Sequence, residues 1–319
     1  MSWFSNIFKQ SIKPVAMSLS PSTVGAATPV FFLSHGGPTF MYSEKDKDVF
    51  GGDFGAFQTV ANVGQTIIQD IKPKFIVYVS AHWQSKADNL IEVAVPKSLQ
   101  QGLQNELIYD FYGFPEYMYH ETFHSENDLS LAKEIVNTIN HSETGLRAKL
   151  TERGIDHGVW VPLKVAFPND ELVQHNIPLV QVSLTRNDLD FDSQYKLGQI
   201  LSEYRSKGGI VLTSGMSVHN LRDMGSAGSK HYNEEFTSVL NDILLTKQHN
   251  KLDKFKALLT DGKNKKLLFK AHPTLDHFVP IIVALGAAEP TQDDLNVKEL
   301  YNKCQGSLGW GIYQFGDLL

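Results

Sequence analysis

The chain holds a single cysteine in 319 residues, Cys304, so no internal disulfide is available to staple the fold. Its neighbours Lys303 and Gln305 form no nucleophile motif, and a solitary thiol fits a reducing compartment, read here as the cytoplasm. Long apolar runs are equally scarce: none approaches the roughly 20 residues that a membrane-crossing helix needs. No membrane partner is expected. The 29 Lys and Arg residues form no basic block and are outnumbered by 35 Asp and Glu, so the electrostatic footprint of a nucleic-acid binder is missing. A small-molecule partner fits better. Acidic residues are absent before Glu44. There MSWFSNIFKQSIKPVAMSLSPS mixes Trp3, Phe4, Ile7, Phe8 and Ile12 with Lys9 and Lys13, as a mitochondrial presequence does, although it lacks arginine. Residues 1–28 are read as a loose N-terminal extension, with Met17 as an alternative start and mitochondrial targeting as the alternative role.

What is present suits a folded domain. A composition 42% hydrophobic and 20% charged supplies a core without the charge excess of a disordered chain. No repeat, low-complexity tract or Pro/Ser-rich linker interrupts residues 29–319, and α/β folds of this size commonly form one unit. Short runs rich in Val, Ile and Phe (29–33, 75–79, 177–184 and 210–213) are bounded by Pro, Gly or Ser, as buried strands are. Between them, Phe57, Val60, Ala61, Gly64, Ile67, Ile68 and Ile71 recur at three- and four-residue steps, as do Leu131 to Ile139, Leu197 to Tyr204 and Tyr232 to Leu244. Those stripes are helix core faces. The alternation predicts a single α/β domain with a mainly parallel or mixed central sheet flanked by helices, and GSLGWGIYQFG near the C-terminus reads as a closing strand or hairpin.

The twelve histidines then become informative through their placement. His35, in LSHGGPT, follows one expected strand; His82, in VSAHW, follows another; His219, in SGMSVHN, follows a third after a short polar turn. Loops at the carboxyl ends of parallel strands gather at one edge, where such sheets bind ligands. His277, in TLDHFVP, has Thr274 and Asp276 as cap candidates and Pro280 suited to a first turn, so it is expected at a helix N-terminus that can face the same crevice. Imidazole ligates zinc and iron as the neutral ring, and an all-imidazole set leaves the ion its positive charge and open positions. His35, His82, His219 and His277 are therefore candidate metal ligands. Gly36, Gly37 and Gly158 remove side chains where a close approach is needed. His157, in GIDHGVW, is a candidate acid/base or substrate-binding group. His120 and His124, in YMYHETFH, have the i, i+4 spacing of two ligands on one helix face and form a rival pair.

Six motifs in order, SHGGPT, VSAHW, DFYGFP, GIDHG, SGMSVHNLRD and HPTLDHFVPIIVALGA, resemble the class III extradiol ring-cleavage dioxygenases, in their 4,5-DOPA dioxygenase extradiol-like branch, from about residue 29 onward. The resemblance implies metal ligation by His35, His82 and His277, with His219 as a further ligand or the catalytic base and His157 handling substrate protons. It implies Fe(II) as cofactor, a catechol such as DOPA and O2 as partners, and a chain acting as monomer or homodimer. Other branches carry a glutamate where this chain has His277, and three histidines equally suit Zn(II), which would point to a hydrolase or a non-catalytic metal-binding protein. Asp156 or Asp276 is expected to orient a neighbouring imidazole. The aromatic residues Tyr109, Phe111, Tyr112, Phe114 and Tyr117 are candidates to wall a flat ring.

Overall fold

The structure, a computed structural model, describes residues 27–43, 51–97, 102–247, 250–288 and 295–318. Most of the expected N-terminal extension lies outside these residues; Thr28 is already part of the fold, its buried hydroxyl donating to Gly209 O at 2.7 Å. The strands are β1 (Val30–Ser34), β2 (Ile76–Gln84), β3 (Leu90–Val95), β4 (Arg147–Glu152), β5 (Leu179–Leu184), β6 (Ile210–Gly215), β7 (Val218–His219), β8 (Val297–Tyr301), β9 (Cys304–Gln305), β10 (Leu308–Gly309) and β11 (Ile312–Phe315). The helices are α1 (Phe54–Thr66), α2 (Leu129–His141), α3 (His157–Ala166), α4 (Glu171–Gln174), α5 (Phe191–Ser206), α6 (Ser229–Leu244), α7 (Lys251–Thr260), α8 (Gly262–Ala271) and α9 (Val279–Ala288).

Eight strands form one sheet in the order β4-β3-β5-β2-β6-β1-β11-β8. It is mixed: β5, β2, β6 and β1 run parallel, as do β3 and β4, whereas β3 opposes β5 and the chain's end closes the sheet with β11 antiparallel to β1 and β8 antiparallel to β11. The single α/β domain read from the pattern is what forms. The central strands are apolar throughout because helices cover both faces, and the two-residue period sorts their side chains between two cores. Val30, Phe32, Val77 and Val79 join α5 and α9 on one face; Phe31, Leu33, Ile76 and Tyr78 join α1 and α3 on the other. The apolar stripe from Phe57 to Ile71 forms α1 and one wider helical turn, which Lys72 ends in the left-handed conformation at φ 50°. The C-terminal run supplies the closing strand, β11, which joins the large sheet, while β10 at its start pairs with β9 across the turn at Gly306 and Ser307 and with β7 in a separate three-stranded sheet.

Helix α9 is apolar on every side, and all ten of its residues are buried, as befits a core helix rather than an amphipathic one. It meets α5 backbone to backbone. A Cβ on Gly198 would sit 2.2 Å from Val283 O, and one on Gly286 would sit 2.2 Å from Tyr195 O. No helix among the described residues is long and apolar enough to cross a membrane. Gly286→Val is expected to force these helices apart and to destabilise the fold by about 1–3 kcal/mol; an unchanged urea midpoint would refute the close-packing account.

Candidate metal and active site

The strand order explains how residues far apart in the chain meet. Strands β2, β6 and β1 are adjacent and parallel, so their carboxyl ends lie together. His35 comes directly after β1, and its backbone N–H donates to Gly215 O at the end of β6. His82 does not follow its strand as the apolar run suggests; β2 extends to Gln84 and carries His82 on its last residues. The segment holding His277 precedes α9 and is stitched to β6 by a bond from Met216 N–H to His277 O at 3.0 Å. Any side chain on Gly215 would block that seam, because its Cβ would lie 2.1 Å from His277 O. Gly36 holds φ +60°, and a Cβ there would also strike Trp310.

His35 Nε2 and His82 Nε2 are 3.0 Å apart. One nitrogen each from His35, His82 and His277 falls within 4.8 Å of the other two. Two ligands bound to one ion at about 2.1 Å, at angles from square to tetrahedral, stand roughly 3 Å apart, so the spacing fits a shared metal. The outer nitrogens of the rings differ in their partners. His277 Nδ1 is held by Asp276 Oδ2 at 2.6 Å, which leaves Nε2 for the cluster. His35 is fully buried, and its Nδ1 has no hydrogen-bond partner among the described residues. Burial lowers the pKa of His35 and His82 well below the ordinary value, and the neighbouring imidazoles lower it further. Neutral rings are the form that binds metal. Asp276, despite burial, is held far below the usual carboxylate range by the His277 bond and charge, so it remains an anion beside its histidine.

Two more imidazoles reach this place. His157 opens α3, buried, with its ring centroid 4.0 Å from that of His82. His219 stacks on His277 at 3.7 Å and 11°, and burial, then the nearby His277, depresses its pKa as well. It lies outside the described groups of converging ligand atoms. The residue that sequence reasoning missed is Asp110. Its Oδ1 accepts from both the backbone N–H and the Nδ1 of His157 at 2.9 Å, and its Oδ2 stands 3.6 Å from His82 Nδ1. Burial alone would raise the Asp110 pKa, but the His157 bonds bring it below normal. The only signal was its position at the head of DFYGFP.

The expectation for the two other aspartates divides. Asp276 does orient an imidazole; Asp156 does not. The buried Asp156 carboxylate instead accepts from Ser80 Oγ at 2.7 Å and Gln181 Nε2 at 2.5 Å, and Ser80 Oγ in turn accepts from His82 N–H. It therefore braces the end of β2. Gly158 serves the same packing rather than a ligand, since a Cβ would meet Ser80 Oγ at 2.4 Å and His82 Cδ2 at 2.8 Å. The rival pair separates: His120 is exposed beside Glu116, and His124 pairs with Asp170 at 3.0 Å, with no helix joining them. A cavity of about 380 Å3 opens over the cluster, with His82, His157, His219 and His277 in its wall. Of the five aromatic candidates, Phe111 and Phe114 line it. Tyr109 packs on Trp160, Tyr112 is exposed, and Tyr117 meets Tyr42.

Residues 29–316 match the family model for the catalytic LigB subunit of aromatic ring-opening dioxygenase. The 4,5-DOPA dioxygenase extradiol-like protein of Schizosaccharomyces pombe is 32% identical over 290 residues, covering 88% of this chain and 91% of that protein. The 4,5-DOPA dioxygenase extradiol of Beta vulgaris is 29% identical, with 89% of this chain and 95% of that protein covered. Among solved structures, an uncharacterised protein of Escherichia coli K12 superposes with a TM-score of 0.64 over 91% of this chain and all of that one, at 22% identity.

The buried histidines give a pH dependence with a definite sign. His35, His82 and His219 have lowered pKa values in the fold, and His272, buried with its Nε2 3.0 Å from Ser217 O, is pushed down to about 3. Below about 6.5 the unfolded chain takes up protons that the folded one refuses, so stability is full above that pH and is lost as pH falls through it. The metal-free protein is expected to show a lower urea midpoint at about pH 5.5 than at about pH 7.5. Equal midpoints would show that these rings are not neutral in the fold.

Proposed function

The chain belongs to the LigB family of aromatic ring-opening dioxygenases, and from that premise we propose that it opens a catechol ring beside its two hydroxyls, using O2 and one Fe(II) ion held by His35, His82 and His277. The observation that carries the reading is the 3.0 Å approach of the buried His35 ring and the half-buried His82 ring, with a third ring held at its other nitrogen by Asp276. An ion held by His35, His82 and His277 would supply a common centre for the catechol and O2 and a route for electrons between them. Both atoms of O2 end in the product, so the reaction needs no added reductant.

The protein's own groups supply the proton chemistry. A catechol must lose protons to bind through both oxygens, and His157 is set up to take one. The Asp110 carboxylate can only accept, which assigns the Nδ1 proton of His157 to that bond and leaves Nε2 free on a ring lining the cavity. His219 also lines the cavity, and its face-on stack with His277 favours a role as second acceptor over ligation. Asp276 and Asp110 hold the ring edges and set which nitrogen each histidine presents. Phe111 stands edge-on to His157, with ring centroids 5.8 Å apart, and offers an apolar surface against which an aromatic ring lies.

A second reading has one observation in its favour, the all-nitrogen donor set, which suits zinc. Zinc cannot change oxidation state, and the protein would then be a hydrolase or a metal-holding protein. Two measurements separate the readings. His82→Ala and His277→Ala are each expected to lower bound metal at least about tenfold, while His157→Ala keeps the metal and loses roughly 100-fold or more in turnover; normal metal content in both ligand variants sinks the ligand assignment. Oxygen uptake by the Fe(II)-loaded protein with a catechol, giving a yellow ring-opened product, is the expected positive result. Tightly held zinc and no uptake after exchange for iron would favour the second reading.

A further inference from the structure

We propose that the substrate is a catechol whose ring substituent is apolar and uncharged, rather than a zwitterionic amino-acid catechol. The inference rests on the dioxygenase reading above and names its substrate class. Beside its histidines the cavity wall is mostly apolar: Met216, Leu221, Met224, Leu308, Phe111 and Phe114 line it, with Thr39 as the one hydroxyl among the described lining residues. No lysine or arginine lines it among the described residues, and its one carboxylate, Asp110, is engaged by His157.

Of the cations near these walls in the chain, Arg222 lies between Leu221 and Met224, is exposed and is not among the residues that line the cavity, and three others are paired with carboxylates. Lys270 pairs with Asp223 at 2.6 Å, Lys303 with Asp53 at 2.6 Å and Arg153 with Asp156 at 3.4 Å. An amino-acid side chain brought into the cavity would lose hydration from its carboxylate and find no counter-charge there. Its ammonium would compete with His157 for Asp110. An alkyl group meets the opposite situation, since it buries against methionine, leucine and phenylalanine, and the two methionines adapt to chains of different shape. A volume of about 380 Å3 is at the small end for ligand sites, and accommodates one ring with a short substituent.

The test is binding to the Fe(II)-loaded full chain under argon, read by calorimetry, with 4-propylcatechol, 4-methylcatechol and L-DOPA as probes, followed by admission of O2. The propyl compound is expected to bind at least about tenfold more tightly than either of the others, and to be consumed preferentially. L-DOPA binding as tightly as 4-propylcatechol, or more so, overturns the proposal. Preferential binding of 4-propylcatechol with no oxygen uptake for any probe supports the substituent inference while ending the dioxygenase reading; failure of all three to bind overturns both. Leu221 is 57% exposed, so an arginine has room there. Leu221→Arg is expected to narrow the preference for 4-propylcatechol over L-DOPA by about tenfold. An unchanged ratio would mean that the substituent does not lie against this wall, and would also overturn the proposal.

Discussion

Burial and the company of other imidazoles keep the His35 and His82 rings neutral. His35 has the rings of His82, His157 and His277 around it at centroid distances of 4.9, 5.6 and 5.3 Å, in a place that water hardly reaches. A proton on His35 or His82 would be both desolvated and set against its neighbours' charge. Neutrality leaves lone pairs pointing at a common space, which is the condition for holding a cation. Much of the surrounding structure serves this arrangement: two aspartates hold ring edges, a buried carboxylate braces the strand carrying His82, and the end of β6 is sewn to the segment carrying His277.

Such a site is costly for the fold, because it concentrates polar rings where a core would otherwise be apolar. The cost is offset by the sheet beneath, whose four central parallel strands bury side chains on both faces. Rigidity comes from backbone contact as much as from side chains. At Gly215 and Gly158 the main chain runs so close to His277 O and to the His82 ring that a methyl group would displace a candidate ligand. The ligand positions are thereby set by the packing of main chain, which moves little, rather than by flexible side chains.

The cavity wall combines imidazoles with apolar side chains. Chemistry needs groups that exchange protons near neutral pH, and imidazole is the side chain whose ordinary pKa lies there. Apolar area in the same cavity comes from Phe111, Phe114, Met216, Leu221 and Met224. Both sets of groups gather beyond or near the carboxyl ends of β1, β2 and β6, on strand ends, a helix start and loops that the sheet below holds in place.

What the sequence by itself determined is what local pattern encodes: buried strands from short Val/Ile/Phe runs, helices from stripes at three- and four-residue steps, and histidines stationed where strands end. Those periodicities are set by backbone geometry and burial within each segment, so the mixed α/β sheet and the meeting of His35, His82 and His277 were legible in it. Tertiary structure alone decided the partners. Asp110 and His157 are 47 residues apart, Ser80 and Asp156 are 76 apart, and no periodicity links either pair. It likewise parted His120 from His124, turned Asp156 away from the imidazoles, laid His219 flat on His277 and carried β2 past its apolar run to include His82. Each of these outcomes depends on how separate elements pack, and packing is a property of the whole chain: a hydrogen bond between distant residues forms only once the sheet order has fixed the distance between them.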